Sequence, residues 1–166
     1  MVSTDKPNTP VISSLHLPDM EREILAFWAK EQVFEQSLQQ RQDSPPFLFY
    51  DGPPFATGLP HHGHLLASTV KDIVGRYMTM QGHYVSRRFG WDTHGLPIEH
   101  EIDKQFGKAT HEVVAELGIA KYSNACRGIV QRYVSQWQDT ITRLGRWVDF
   151  DNDYKTMDVD FMESVW

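Results

Sequence analysis

Two histidines three residues apart, His61 and His64, stand where a glycine- and proline-rich stretch gives way to helical periodicity. At a helix start the unpaired N–H groups and the helix dipole favour an anion. Imidazoles placed there donate hydrogen bonds to phosphate oxygens and to charge developing in a transition state. Spaced by three, His61 and His64 share a helix face, and His62 points elsewhere. A single histidine at a helix start is ordinarily a cap or a solvated side chain. Here Gly52, Gly58 and Gly63 bracket the pair and allow sharp turns and close approach of a ligand to the backbone. Pro53 and Pro54 remove two N–H donors and stiffen the wall just after an apolar run. The combination favours anion binding for His61 and His64, and leaves His62 without a role.

The second stretch that could do chemistry is Gly90-Trp91-Asp92-Thr93-His94-Gly95-Leu96-Pro97-Ile98-Glu99. An aspartate following glycine and tryptophan, at the end of a strand, pairs with a ligand ammonium in a partly dry pocket; its ordinary alternative is to cap the next helix. Trp91 reads first as core and second as a pocket wall. His94 either lines the pocket or hydrogen-bonds the loop, and Glu99 reads as a first-turn helix charge. A rival reading gathers His61, His64, His94 and Glu99 into a zinc or iron site of a hydrolase. The histidines are three apart rather than four and no acid stands between them, so no protein-bound metal is expected in this segment.

Other candidates are weak. Cys126 lies on an apolar helix stripe and reads as buried and inert. Arg22, Lys30 and Arg41 read as a solvated helix face. The run Asp149-Phe150-Asp151-Asn152-Asp153 lacks the glycine and the closing glutamate of a calcium loop and reads as a turn or helix cap.

The elements that must hold these residues follow from periodicity. Asp19 is expected to cap one helix carrying Ile24, Leu25, Trp28, Phe34 and Leu38, ending near Gln42 ahead of Pro45 and Pro46. Phe47 to Tyr50 reads as a strand buried on both faces. Leu65, Leu66, Val70, Ile73, Val74, Tyr77 and Met78 recur at helical spacing, and Gly82 closes that helix. His83 to Phe89 reads as a second strand, giving a βαβ unit over residues 47–89. Ligands bind at the carboxyl edge of such sheets, where the Gly90–Pro97 segment falls. A short helix ends at Gly118, and a longer one over 121–144 carries Cys126, Ile129, Val130, Tyr133, Trp137, Ile141 and Leu144 on one side. Phe161 to Trp166 opens another amphipathic helix without completing two turns, so a fragment of a larger protein is expected.

At 166 residues, 40% apolar and 12% aromatic, the chain can bury one sizeable core and is not a disordered sequence. A formal charge of −6 disfavours a general nucleic-acid coat, and apolar runs of a few residues fall far short of a membrane span. With one cysteine there is neither an internal disulfide nor a multi-cysteine zinc site. The first 21 residues hold one lysine, Lys6, and no arginine, so no targeting address is legible and the cytoplasm is the expected compartment.

Pro60-His61-His62-Gly63-His64 resembles the His-x-Gly-His motif of class I aminoacyl-tRNA synthetases. Asp51 to Gly58 and Gly90 to Glu99 resemble the isoleucine-specific branch. Arg143 to Thr156 is similar to its cytosolic eukaryotic form. The resemblance runs from about Glu21 to Trp166. It implies an α/β fold, the first half of a Rossmann-like nucleotide-binding domain with flanking helices, truncated at its C-terminal end. Residues 1–17 would be a mobile arm and 18–166 the incomplete catalytic domain. It also implies activation of isoleucine by ATP with Mg2+ and transfer to tRNA(Ile). His61 and His64 would be catalytic, Gly52, His61, Gly63 and His64 would bind ATP, and Pro53, Trp91 and Asp92 would bind the amino acid. His62 departs from the apolar or aromatic residue usual in the motif. The family's Lys-Met-Ser-Lys-Ser loop, editing domain and anticodon-binding helices have no counterpart here, so the chain alone is expected to lack aminoacylation activity. The alternative is a non-catalytic remnant that binds a nucleotide or a partner protein.

Overall fold

The computed structural model describes residues 16–166. The arm expected over residues 1–17 lies outside them except for His16 and Leu17, and Leu17 already opens the first helix.

In chain order the elements are α1 (Leu17–Lys30), α2 (Val33–Gln39), α3 (His62–Met80), β1 (Arg88–Trp91), α4 (Leu96–Phe106), α5 (Thr110–Leu117), α6 (Ile119–Leu144), β2 (Asp149–Lys155) and α7 (Val159–Val165). The single helix expected from Asp19 to Gln42 is two helices. Gln32 takes a left-handed conformation at φ 50° and breaks the hydrogen-bond ladder. His16, not Asp19, precedes the first turn; the Asp19 carboxylate instead accepts from Arg22 at 2.5 Å within it.

Phe47 to Tyr50 does not form the expected doubly buried strand. Leu48 and Tyr50 are 76% and 93% exposed, and Phe47 and Phe49 turn inward. The segment is bridged in parallel at its start, Pro46–Tyr84, and the loop that follows it is bridged at Phe55–Asp92. The second strand is also displaced, to Arg88–Trp91, and its ladder partner is β2, parallel to it. The aspartate-rich run read as a turn or cap therefore belongs to a strand. The turn character survives as an irregularity: two steps along β1, Arg88 to Gly90, match five along β2, Asp149 to Tyr154. The Asp149 carboxylate closes the extra loop by accepting from the Asn152 backbone N–H at 2.9 Å and its Nδ2 at 2.8 Å.

The long helix fits its expected stripe with small changes. α6 begins at Ile119, buries Tyr122, Ile129, Val130, Trp137 and Ile141, and leaves Leu144 41% exposed. Gly82 takes φ 93° just past α3, the closing role expected of it. The inward side of α3 is polar and small: Ser68 and Gly75 are buried, whereas Leu66, Val70, Ile73 and Tyr77 are exposed. The main core joins Ala56, Phe89, Trp91, Ile98, Val130, Trp137, Ile141 and Val148, and a second cluster joins Ile102, Val113, Tyr122 and Ile129. Among the described residues no helix is long and apolar enough to cross a membrane.

Candidate active site

His61 and His64 cap their own helix. The Gly63 backbone N–H donates to His61 Nδ1 at 3.1 Å, and the His61 backbone N–H donates to His64 Nδ1 at 3.3 Å. The two rings stack with centroids 3.7 Å apart. An Nδ1 that accepts carries no proton, so each neutral imidazole holds its proton on Nε2. The capping geometry thereby fixes the tautomer that presents an N–H donor on the far edge of each ring. Gly63 has a local reason as well: a Cβ there would lie 3.0 Å from the His61 ring. His62 is exposed.

The His64 imidazole is held below its ordinary value, first by burial and then by the positive charges of His61 and Lys71. A neutral donor at neutral pH follows.

Asp92 is brought against the proline-rich loop by backbone pairing. Its N–H donates to the Pro54 carbonyl at 2.8 Å, and its own carbonyl accepts from the Ala56 N–H at 3.2 Å. The two motifs, distant in sequence, thus share one edge, with Pro53 adjacent to the joint. The His94 N–H donates to the Asp92 carboxylate at 3.4 Å, and the His94 side chain is exposed. Glu99 sits in the first turn of α4 as expected.

Trp91 is corrected. The indole is fully buried in the core and donates from Nε1 to Asp153 at 2.7 Å. The residue faces inward because β1 is a strand covered on that side by α6, with Trp137 edge-on at 5.8 Å. The metal reading also loses its geometry: among the described residues no three His, Cys, Asp or Glu side chains converge.

Three residues beyond the two loop motifs, Trp137, Lys71 and Arg146, join the candidate site. Trp137 of α6 donates to the Gly58 carbonyl at 2.5 Å and lies 4.9 Å from the His64 ring. Lys71, Arg146 and Asp51 join His64 around a cavity of about 110 Å³ that Gly52 and Pro54 also line. Lys71 stands seven residues after His64, hence on the same helix face, and that spacing was the available signal. Nothing in local sequence marks Trp137 or Arg146, whose positions depend on how α6 folds back.

A helix N-terminus carrying two histidine donors, set beside the end of a parallel strand pair, marks this chain as an α/β domain. Residues 23–166 match the family model of class I tRNA synthetases for isoleucine, leucine, methionine and valine. The chain belongs to that family.

It is 57% identical over 149 residues to the cytoplasmic isoleucine–tRNA ligase of Arabidopsis thaliana, covering 90% of this chain and 12% of that protein. It is 58% identical over 158 residues to the isoleucine–tRNA ligase of Treponema pallidum, covering 95% of this chain and 14% of the relative. The mouse cytoplasmic isoleucine–tRNA ligase is 58% identical over 156 residues, again with 12% of its length covered. The chain therefore spans roughly an eighth of these relatives. In fold it resembles the leucyl-tRNA synthetase of Agrobacterium radiobacter K84, solved with tRNA and LeuAMS. The TM-score is 0.61 at 22% identity, over 85% of this chain and 16% of that one. The likeness places the small parallel sheet and its helices in a Rossmann-like framework.

Proposed function

We propose that this chain supplies the first half of the active site of an isoleucine–tRNA ligase, which activates isoleucine with ATP and transfers it to tRNA(Ile). The observation that carries the reading is the Phe55–Asp92 bridge, which sets the histidine-bearing loop and the aspartate-bearing strand end side by side. His61 and His64 direct their Nε2–H groups at the α-phosphate and the departing pyrophosphate, stabilising charge that grows in the transition state. Gly52 and Gly63 let the nucleotide approach the backbone. Asp92 holds the α-ammonium of isoleucine, and Pro53 bounds its side chain. Magnesium enters with ATP as part of the substrate. The cytosol is the proposed compartment, matching the cytoplasmic relatives.

These residues span roughly an eighth of the relatives, and by themselves they are proposed not to aminoacylate. The test is calorimetric titration with a non-hydrolysable isoleucyl-adenylate analogue, with leucyl and valyl analogues as controls. It is made on this chain and on a full-length ligase carrying these residues. Selective binding by the long form, lost in both His64→Ala and Asp92→Ala, is the expected result. Undiminished binding in either variant would overturn the residue assignments, and no binding by a folded long form would overturn the ligase reading.

A further inference from the structure

Asp51 opens the ligand loop, and its carboxylate is held from two directions. Arg146, in the link between α6 and β2, donates to one carboxylate oxygen of Asp51 at 2.5 Å and to the Ser68 hydroxyl at 3.0 Å. Lys71, from α3, pairs with the other carboxylate oxygen and also reaches the Gly52 carbonyl at 3.4 Å. The Arg146 side chain is only 8% exposed, with its guanidinium 5.4 Å from the centre of the Phe89 ring in the core. Ser68 is 4% exposed.

The arrangement ties α3 and the α6–β2 link to one carboxylate immediately before Gly52 and Pro53. The planar fork of arginine reaches Asp51 and Ser68 at once, which a lysine ammonium cannot reproduce in the same geometry. Removing Arg146 would leave a poorly solvated carboxylate with Lys71 alone, and leaving one partner of such a pair is costly. The loop can answer by moving Asp51 toward water, which carries Gly52 and Pro53 with it.

We propose that Arg146 is a positioning residue for the amino-acid-facing loop, acting through Asp51 rather than by touching substrate. The inference rests on the ligase reading and adds to it a residue far from both motifs. It predicts a change in substrate affinity, because a displaced Pro53 alters the wall that isoleucine meets.

The test is isoleucine-dependent ATP–pyrophosphate exchange in a full-length ligase carrying this segment, normalised to active sites counted by adenylate burst. Arg146→Met keeps the apolar stem, and Arg146→Lys keeps the charge but loses the fork. Both are expected to raise KM for isoleucine by about tenfold, as a small misplacement of a positioning group does. Asp51→Asn should do the same, and the Asp51→Asn/Arg146→Met pair should do no worse than either alone, since one path is cut. Simple loss of folded protein would lower the number of active sites and leave KM unmoved. A KM within twofold of the parent in Arg146→Met and Arg146→Lys, or single effects that multiply in the pair, would overturn the assignment. Absence of isoleucine-dependent exchange in the parent would instead sink the ligase reading, and this inference with it.

Discussion

Trp137 and His64 lie with ring centroids 4.9 Å apart and planes inclined by 57°. The same indole donates to Gly58 and stands edge-on to Trp91, so one side chain of α6 braces the histidine helix, the loop before it and the strand that leads into Asp92. The site is thus coupled to the core of the fold through one aromatic residue.

Deleting only the donor tests that coupling. Trp137→Phe leaves the Gly58 carbonyl without its indole partner and should cost about 1 kcal/mol, the usual net worth of one hydrogen bond. Trp137→Ala opens a cavity in the main core and should cost about 3–5 kcal/mol. Urea titration followed by circular dichroism reads both. A phenylalanine variant as stable as the parent would mean the bond to Gly58 carries no weight.

The second prediction concerns pH. His64 accepts the His61 N–H through Nδ1, so protonation at that nitrogen removes the acceptor and adds a charge beside His61 and Lys71. Its value is lower in the folded chain than in the unfolded one, so the fold binds this proton less well. The associated stability is present above the ordinary imidazole value and is lost as pH falls through the lowered one. Proton NMR of the Cε1–H resonances should give a His64 midpoint below 6.5, the ordinary value for histidine. A midpoint at or above it contradicts the capping geometry.

That His61 and His64 open a helix was legible because its cause is local: glycines, a helix start and a three-residue spacing all lie within one short stretch, whereas the same stretch reads as anion binding rather than as capping through Nδ1. Asp92 was legible for the same reason, as a residue at a strand end. Where the sheet lies was not. Phe47 to Tyr50 carries the apolar composition of a strand, yet composition does not say whether a neighbour exists, and its outer side chains remain exposed. β2 was hidden because its aspartates are turn formers, and its pairing depends on Gly90 admitting Tyr154 from far along the chain. Trp91 shows the remaining gap: a tryptophan in a ligand motif and one in a core look alike until the covering helix is placed.

Gly90 supplies the third prediction. A Cβ at this position would lie 2.2 Å from the Tyr154 ring, closer than atoms pack. Gly90→Ala should therefore cost about 1–3 kcal/mol, the range for overpacking a filled site. Trimming the obstacle should relieve it, so the alanine should cost less in a Tyr154→Ala background. Equal costs in the two backgrounds, measured by a double-mutant cycle in urea, would exclude the contact as the reason for glycine here.

The last prediction concerns Cys126, which with Glu99 lines a cavity of about 360 Å³ beside the Asp92 loop. Burial pushes its thiol up, and the negative charges of Glu99 and Asp103 add to the effect. The thiolate is the reactive form, so alkylation by iodoacetamide at neutral pH should be slower than for free cysteine. Replacing Glu99 by glutamine removes one repelling charge, lowers the thiol's value and should speed the reaction. Because burial is the larger cause, the rate should rise without reaching that of the free amino acid. Mass-spectrometric time courses on the parent and Glu99→Gln read both parts. An unchanged rate in the variant would show that Glu99 does not act on the thiol, and a rate equal to free cysteine in the parent would show that the cavity leaves Cys126 open to solvent.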